Sequence, residues 1–190
     1  LEAEGHLGTS VDYSYAKGIR ADAMQYGKNI GVGIIDSGFM NSHTAFNAQS
    51  GYPGLYLLGW NATGDALGPF VDLSSMGHGT HVMATMMSRW ASQAPGLDGV
   101  SPWIGSVATQ QVRVVRCGSN TTLSFVGTIS AINTLAAQAG VQVINNSWGY
   151  SNDRTGANAE SVLVDDAVRS SGQLWVLSAG NNGNAPPASG

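Results

Sequence analysis

Short β-branched runs that alternate with segments of helical spacing constrain this chain more than any other feature of its sequence. Asn29 to Ile35 is one such run, ended by Asp-Ser-Gly, and it reads as a buried strand followed by a turn. Val112 to Val115, Val141 to Ile144 and Leu174 to Leu177 repeat the pattern. Between them Val82, Met86 and Trp90 recur at helical steps, Phe125, Ile129 and Ile132 make a second stripe, and Ala159, Val162, Leu163 and Ala167 a third. Strands that alternate with helices need right-handed crossovers, so the expected fold class is α/β: a mostly parallel central sheet with helices on both faces.

The 190 residues fit a single domain, 1–190, with only 6 Pro and neither a linker nor an internal repeat. A chain of that length buries roughly 70% of its unfolded surface and needs no disulfide scaffold. Its one cysteine, Cys117, excludes an internal bridge and any multi-cysteine metal site. Nucleic acid is a poor partner, because 8 Lys and Arg stand against 12 Asp and Glu with no basic stripe. The apolar runs at Leu55 to Leu58 and Gly31 to Ile35 are far shorter than the roughly 18 residues of a membrane span. The amino terminus, Leu-Glu-Ala-Glu-Gly-His, has no basic start or apolar stretch of a secretory signal, which is no argument for a cytoplasmic home because a mature chain would already have lost its signal.

In parallel α/β folds, polar chemistry gathers beyond the carboxyl ends of strands. Asp36 follows the first run here, Asn145-Asn146-Ser147 the third and Ser178-Ala179-Gly180-Asn181 the fourth, while Gly77-His78-Gly79-Thr80-His81 opens the first helix. Asp36 with His78 suggests nucleophilic catalysis, since an imidazole base needs a carboxylate to fix its tautomer and stabilise the imidazolium. The plainer reading is a turn and a helix cap. His78 and His81 could also share a metal, but no third ligand stands out and no Glu follows His78 as in a zinc protease. Gly31 and Gly33 lie inside a strand, with Asp36 where a third glycine would be needed, so a dinucleotide fingerprint fails. Cys117 reads as a small packed or turn residue, and the sequons at Asn61 and Asn120 are of the sort that Asn-rich chains produce by chance.

Taken together, the strings Gly31-Val-Gly-Ile-Ile-Asp36-Ser-Gly38, Gly77-His78-Gly-Thr-His81-Val, Gly99-Val-Ser-Pro102, Val143-Ile-Asn-Asn-Ser147-Trp-Gly149 and Leu177-Ser-Ala-Gly-Asn181-Asn-Gly183 resemble the subtilisin-like serine proteases, the subtilases. The resemblance runs in order from about Ile19 to Gly183. It implies a subtilisin-like fold and a serine endopeptidase in which Asp36 orients His78 and Asn181 donates to the oxyanion. Substrate backbone would be held at Ser147, Trp148 and Gly149, beside Ser178, Ala179 and Gly180. It also implies an exported enzyme, secreted or extracytoplasmic, acting on proteins or peptides.

The sequence departs from the family in two places. Trp148-Gly149-Tyr150 stands where the family has Leu followed by Gly-Gly, and no Gly-Thr-Ser-Met-Ala-x-Pro block carrying the catalytic serine follows Asn181. Gly8-Thr9-Ser10 precedes Asp36 and leads into Val-Asp, and Ser189 lies in a loop of Pro and Ala. A sheet whose last strand is Leu174 to Leu177 would also keep an open edge and a bare face. The expectation is therefore a subtilisin-like domain that is incomplete in this chain, partnered by a C-terminal fragment of the same precursor that carries the serine. The alternative is a pseudoprotease that binds extended peptides without cleaving them. Calcium is the family's usual stabilising ion, but Ser88 to Leu97 does not reproduce its asparagine-rich ligand loop, so calcium stays possible with no ligand assigned.

Overall fold

The computed structural model describes residues 27–48, 53–74, 77–89, 98–119, 122–149 and 156–179. In chain order the regular elements are β1 (Val32–Asp36), β2 (Leu57–Asn61), α1 (His78–Met87), β3 (Val112–Arg116), β4 (Gly118–Ser119), β5 (Thr122–Leu123), α2 (Phe125–Ala136), β6 (Val143–Asn146), α3 (Ala159–Ser171) and β7 (Leu174–Leu177). Strands β2-β3-β1-β6-β7, in that spatial order, form one sheet whose pairings are all parallel, and β4 with β5 makes a small antiparallel ribbon.

Alternate residues of the strands feed two cores. Val32, Ile34, Val112 and Val114 point to the face covered by Met83 and Met87 of α1 and by Phe39 and Phe46. Ile35, Val115, Ile144 and Trp175 point to the opposite face, against Ala131, Ile132 and Leu135 of α2 and Val164 and Ala167 of α3. Each of these Val, Ile, Leu, Met and Phe side chains, fully removed from water, is worth about 1.5–3 kcal/mol, so both faces of the central strands are committed. The expected α/β sheet with helices on both sides is what forms. Its α1 face thins out at the last strand, where Leu174 is 62% and Val176 47% exposed.

Several boundaries and phases differ from the sequence reading. The first strand starts at Val32, because Gly27 to Asn29 form a turn closed by the Ile30 N–H on the Gly27 carbonyl at 3.1 Å. The third run becomes strand only from Val143. Strand β2 was hidden in the run Leu55 to Leu58, since an edge strand with Gly59 and Asn61 in it shows little β-branched signal. The buried line of α1 is Gly79, Met83 and Met87, one step on from Val82 and Met86, which flank it. Phe125 is 52% and Val162 49% exposed, and the inward lines of α2 and α3 run instead through Thr128, Ala131, Ile132 and Leu135, and through Glu160, Val164 and Ala167. Trp90 lies outside the described residues.

Helix starts are closed in two ways. Ser124 accepts the Gly127 N–H at 3.2 Å to open α2, and Asn158 accepts the Ser161 N–H at 2.7 Å to open α3, both ordinary side-chain caps. By contrast, α1 begins after Gly77, which sits in the left-handed region at φ 60° and has no side chain to cap with.

Candidate active site

The sheet order places a switch point beside β1: the chain leaves β1 toward β2 and β3, then crosses back to lay β6 and β7 on the other side. A crevice at the carboxyl ends of β1 and β6 is the expected location for chemistry in such a sheet. Asp36 is the last residue of β1, and His78 is the first of α1, which packs across that end. Gly79 is what allows the approach. A Cβ there would be driven into the Gly38 carbonyl oxygen and would stand 3.0 Å from both Cβ and Oδ1 of Asp36. Gly38 is itself required, at φ 146° and in a place where a Cβ would collide with the Val71 carbonyl oxygen.

The structure brings Asp36 and His78 together. Nδ1 of His78 lies 2.8 Å from Oδ1 of Asp36, which also accepts the Ser37 N–H at 2.7 Å. The carboxylate side chain is 1% exposed while the imidazole is 49% exposed, so the acid is sealed and the base open to a reactant. That hydrogen bond raises the His78 pKa above its ordinary 6.5; burial works against it, and the charges of Asp36 and then Asp72 add to the rise. With Nδ1 committed to Asp36, the neutral ring presents Nε2 as its proton acceptor, the tautomer a general base needs.

Across the crevice, Ser147 Oγ accepts from Asn145 Nδ2 at 2.8 Å, and Ser178 ties the ends of β6 and β7 together. The Ser178 N–H donates to the Asn146 carbonyl at 3.0 Å, and its hydroxyl donates to the Trp148 carbonyl at 3.2 Å. Gly149, Ser178 and Ala179 are exposed, whereas Trp148 is partly buried and packs on the α2 side of the core. The indole thus supports the strand end from beneath. Asn181 and Gly180 lie outside the described residues.

Other candidates settle into structural roles. Gly31 and Gly33 are explained by close packing, since a Cβ on Gly31 would collide with the Gly140 carbonyl and one on Gly33 would stand 2.9 Å from Leu135. Cys117 is buried behind Asp36, its N–H on the Asp36 carbonyl at 2.9 Å, and burial pushes its thiol up to about 12. Nδ2 of Asn61 is spent on the carbonyls of Asp65 and Leu67 and on Oδ1 of Asp65, which makes that sequon a loop staple. Asn120 lies outside the described residues. The same loop offers oxygens to a cation, but the Asp65 carboxylate is already gripped by both Nη atoms of the fully buried Arg116, at 2.9 and 2.8 Å. Calcium does not fit there. Among the described residues no group of three or more His, Cys, Asp or Glu could hold a metal ion, and none of their helices is long and apolar enough to cross a membrane.

Asp72 and Ser74 stand outside every motif of the sequence, and Ser37 and Thr80 lie within two of them with no role assigned. They form the hydrogen-bonded bracket beneath the Asp36 and His78 pair, and the only local hint is a carboxylate and hydroxyls just before a helix start.

A profile of the subtilase family matches residues 27–189. The chain belongs to the subtilase family. Among its relatives, subtilisin DY of Bacillus licheniformis is 32% identical over 171 residues, covering 88% of this chain and 54% of the relative. Subtilisin E of Bacillus subtilis is also 32% identical, over 93% of this chain and 41% of its own. This subtilase chain therefore spans about half the length of the relatives it matches. Of solved structures, the nisin leader peptidase NisP of Lactococcus lactis is 26% identical at a TM-score of 0.56, covering 84% of this chain and 46% of that one. The protease domain of PatA, at 24% identity and a TM-score of 0.60 over 82% of this chain and 51% of its own, shares the fold.

Proposed function

We propose that this chain is the N-terminal part of a single subtilisin-like catalytic domain and supplies the acid and base of a serine endopeptidase. Asp36 fixes His78 in its Nδ1–H tautomer and stabilises the imidazolium. His78 takes the proton from a serine hydroxyl as the hydroxyl attacks a peptide carbonyl, then returns it to the leaving amine. Asn181 donates to the oxyanion of the tetrahedral intermediate. Ser147 to Gly149 and Ser178 to Gly180 line the cleft where an extended substrate backbone pairs.

The serine comes from a C-terminal segment of the same precursor, outside these 190 residues. The bare α1 face at Leu174 and Val176 supports that reading, because a strand with one apolar face half open calls for a covering element. So does the length of the relatives, roughly twice the matched region. Substrates are proteins or peptides, and export is inferred from the resemblance to secreted subtilisins.

The observation that carries the proposal is the 2.8 Å contact between a sealed carboxylate and a half-exposed imidazole at the switch point. It also favours the enzyme over a non-catalytic peptide binder, which has no use for a buried acid behind an accessible base. A fluorophosphonate probe tests it: the chain co-expressed with the serine-bearing segment should be labelled on that segment, and the chain alone should not. Labelling that survives His78→Ala unchanged, or no labelling and no peptide hydrolysis in the complemented protein, would overturn the assignment.

A further inference from the structure

The start of α1 poses a capping problem that the catalytic residues do not solve. A helix exposes its first N–H groups, and Gly77 has no side chain to receive them. One carboxylate answers for three of them. Oδ2 of Asp72 accepts the Thr80 N–H at 2.9 Å and the Thr80 hydroxyl at 2.6 Å. Oδ1 accepts the hydroxyls of Ser74 at 2.8 Å and Ser37 at 3.1 Å, and the Ser74 N–H at 3.2 Å. Each hydroxyl, having donated to Asp72, turns its lone pair to a backbone donor: Ser74 to the His78 N–H at 2.6 Å, Ser37 to the Gly79 N–H at 3.2 Å, and Thr80 to the Met40 N–H at 3.0 Å.

The direction of every one of these bonds requires an acceptor-only group at the centre, which an ionised carboxylate is and an amide is not. The bracket also joins the two halves of the catalytic pair. Ser37 follows Asp36 and donates its own N–H to it, while Ser74 and Thr80 hold the turn that carries His78. A negative charge at this end of the helix is favoured by its dipole as well.

We propose that Asp72 is a positioning residue of this active site, an ionised carboxylate that locks the Asp36 turn to the first turn of the His78 helix. Its catalytic meaning rests on the protease reading, whereas its structural role does not. Donors from Thr80 and Ser74 overcome the effect of burial and hold the Asp72 carboxyl below its ordinary value, so it stays ionised at neutral pH. The other titratable groups around α1 among the described residues are Asp36 on β1, His81 on α1 itself and His43 at the head of the short turn Thr44–Phe46; Arg89 and Asp98 lie at its far end.

The test is nuclear magnetic resonance of the full chain with its serine-bearing segment, reading the His78 imidazole titration together with amide exchange. In Asp72→Asn the His78 midpoint should fall, because a nearby negative charge is gone and the Asp36 contact is loosened. Exchange at His78, Gly79 and Thr80 should speed up by about tenfold or more while Ile34 and Val114 keep their protection. Asp72→Glu should recover part of the midpoint, and Asp166→Asn, a carboxylate remote on α3, should leave it unchanged. If Asp72→Asn does not fold, Thr80→Val removes one arm of the bracket and keeps the charge; faster exchange is then expected at Met40, whose N–H loses its acceptor. A folded variant with wild-type midpoint and wild-type protection of the helix start would overturn the proposal. Should the shifts occur in a protein that hydrolyses no peptide, the bracket stands and the protease reading falls.

Discussion

Replacing Gly79 by alanine sets two effects of opposite sign against each other. In a helix interior, alanine is favoured over glycine by about 0.8–1 kcal/mol, which is a ceiling for Gly79 in the first turn of α1. At this position the new Cβ would overlap the Gly38 carbonyl oxygen and sit 3.0 Å from Asp36 Cβ and Oδ1, all of them backbone or fully buried atoms with little room to retreat. Relieving overlap of that kind in a packed core costs about 1–3 kcal/mol, which offsets the propensity gain and leaves a net loss of up to about 2–3 kcal/mol. The kinetic consequence is larger. The yielding element carries Asp36, and a misplacement of about 1 Å between reacting groups is worth on the order of 10²-fold in rate. Urea denaturation and peptide hydrolysis by the complemented enzyme should therefore disagree in scale: a modest fall in midpoint at unchanged slope, but kcat down by about 10²-fold. A Gly79→Ala protein with wild-type turnover and wild-type or higher stability would refute the claim that this glycine exists to let the His78 helix meet Asp36.

Five further outcomes are expected. The His78 pKa is raised above 6.5 and the base must be neutral, so activity should fall as pH drops through a midpoint above 6.5, and Asp36→Asn should move that limb to lower pH. The stability linked to the same shift is complete below 6.5 and is lost as pH rises through the folded-state value, which pH-dependent denaturation of His78→Ala against the parent would show as a narrowing gap. Cys117, with its thiol pushed up to about 12 and no exposure, should resist a disulfide reagent in the folded protein and react at once in urea. Asn181→Ala should lower kcat by about 10²–10³-fold with little change in binding, the range known for loss of the oxyanion donor in subtilisin itself. Peptide profiling of Trp148→Leu separates a pocket wall from a core prop: a changed preference supports the wall, and unchanged preference with lower stability supports the packing seen beneath β6.

The strings around Asp36 and His78 carry their own geometry. A buried strand run ending in Asp-Ser-Gly and a helix opening on His-Gly-Thr already place an acid and a base at the same end of a parallel sheet, because strand polarity and helix direction are fixed once the alternation is read. Gly38 and Gly79 could be recognised as special for the same reason: close backbone approach leaves a mark in the residue type itself. Phase and neighbourhood are a different matter. Val82 and Met86 have the same spacing as Met83 and Met87, and only the position of the sheet beneath α1 decides which pair goes inside. Strand β2 exists because β3 offers it an edge, whatever the weak propensity of Gly59 and Asn61. The Asp72 bracket draws on residues 37, 72, 74 and 80, gathered from a strand turn, a loop and a helix start. No spacing rule links such positions, since loop geometry sets them and a carboxylate reveals its role only when its donors are counted in three dimensions. Local periodicity and steric necessity are written along the chain, whereas burial phase and convergent hydrogen bonding depend on partners distant in sequence, so they belong to the folded molecule alone.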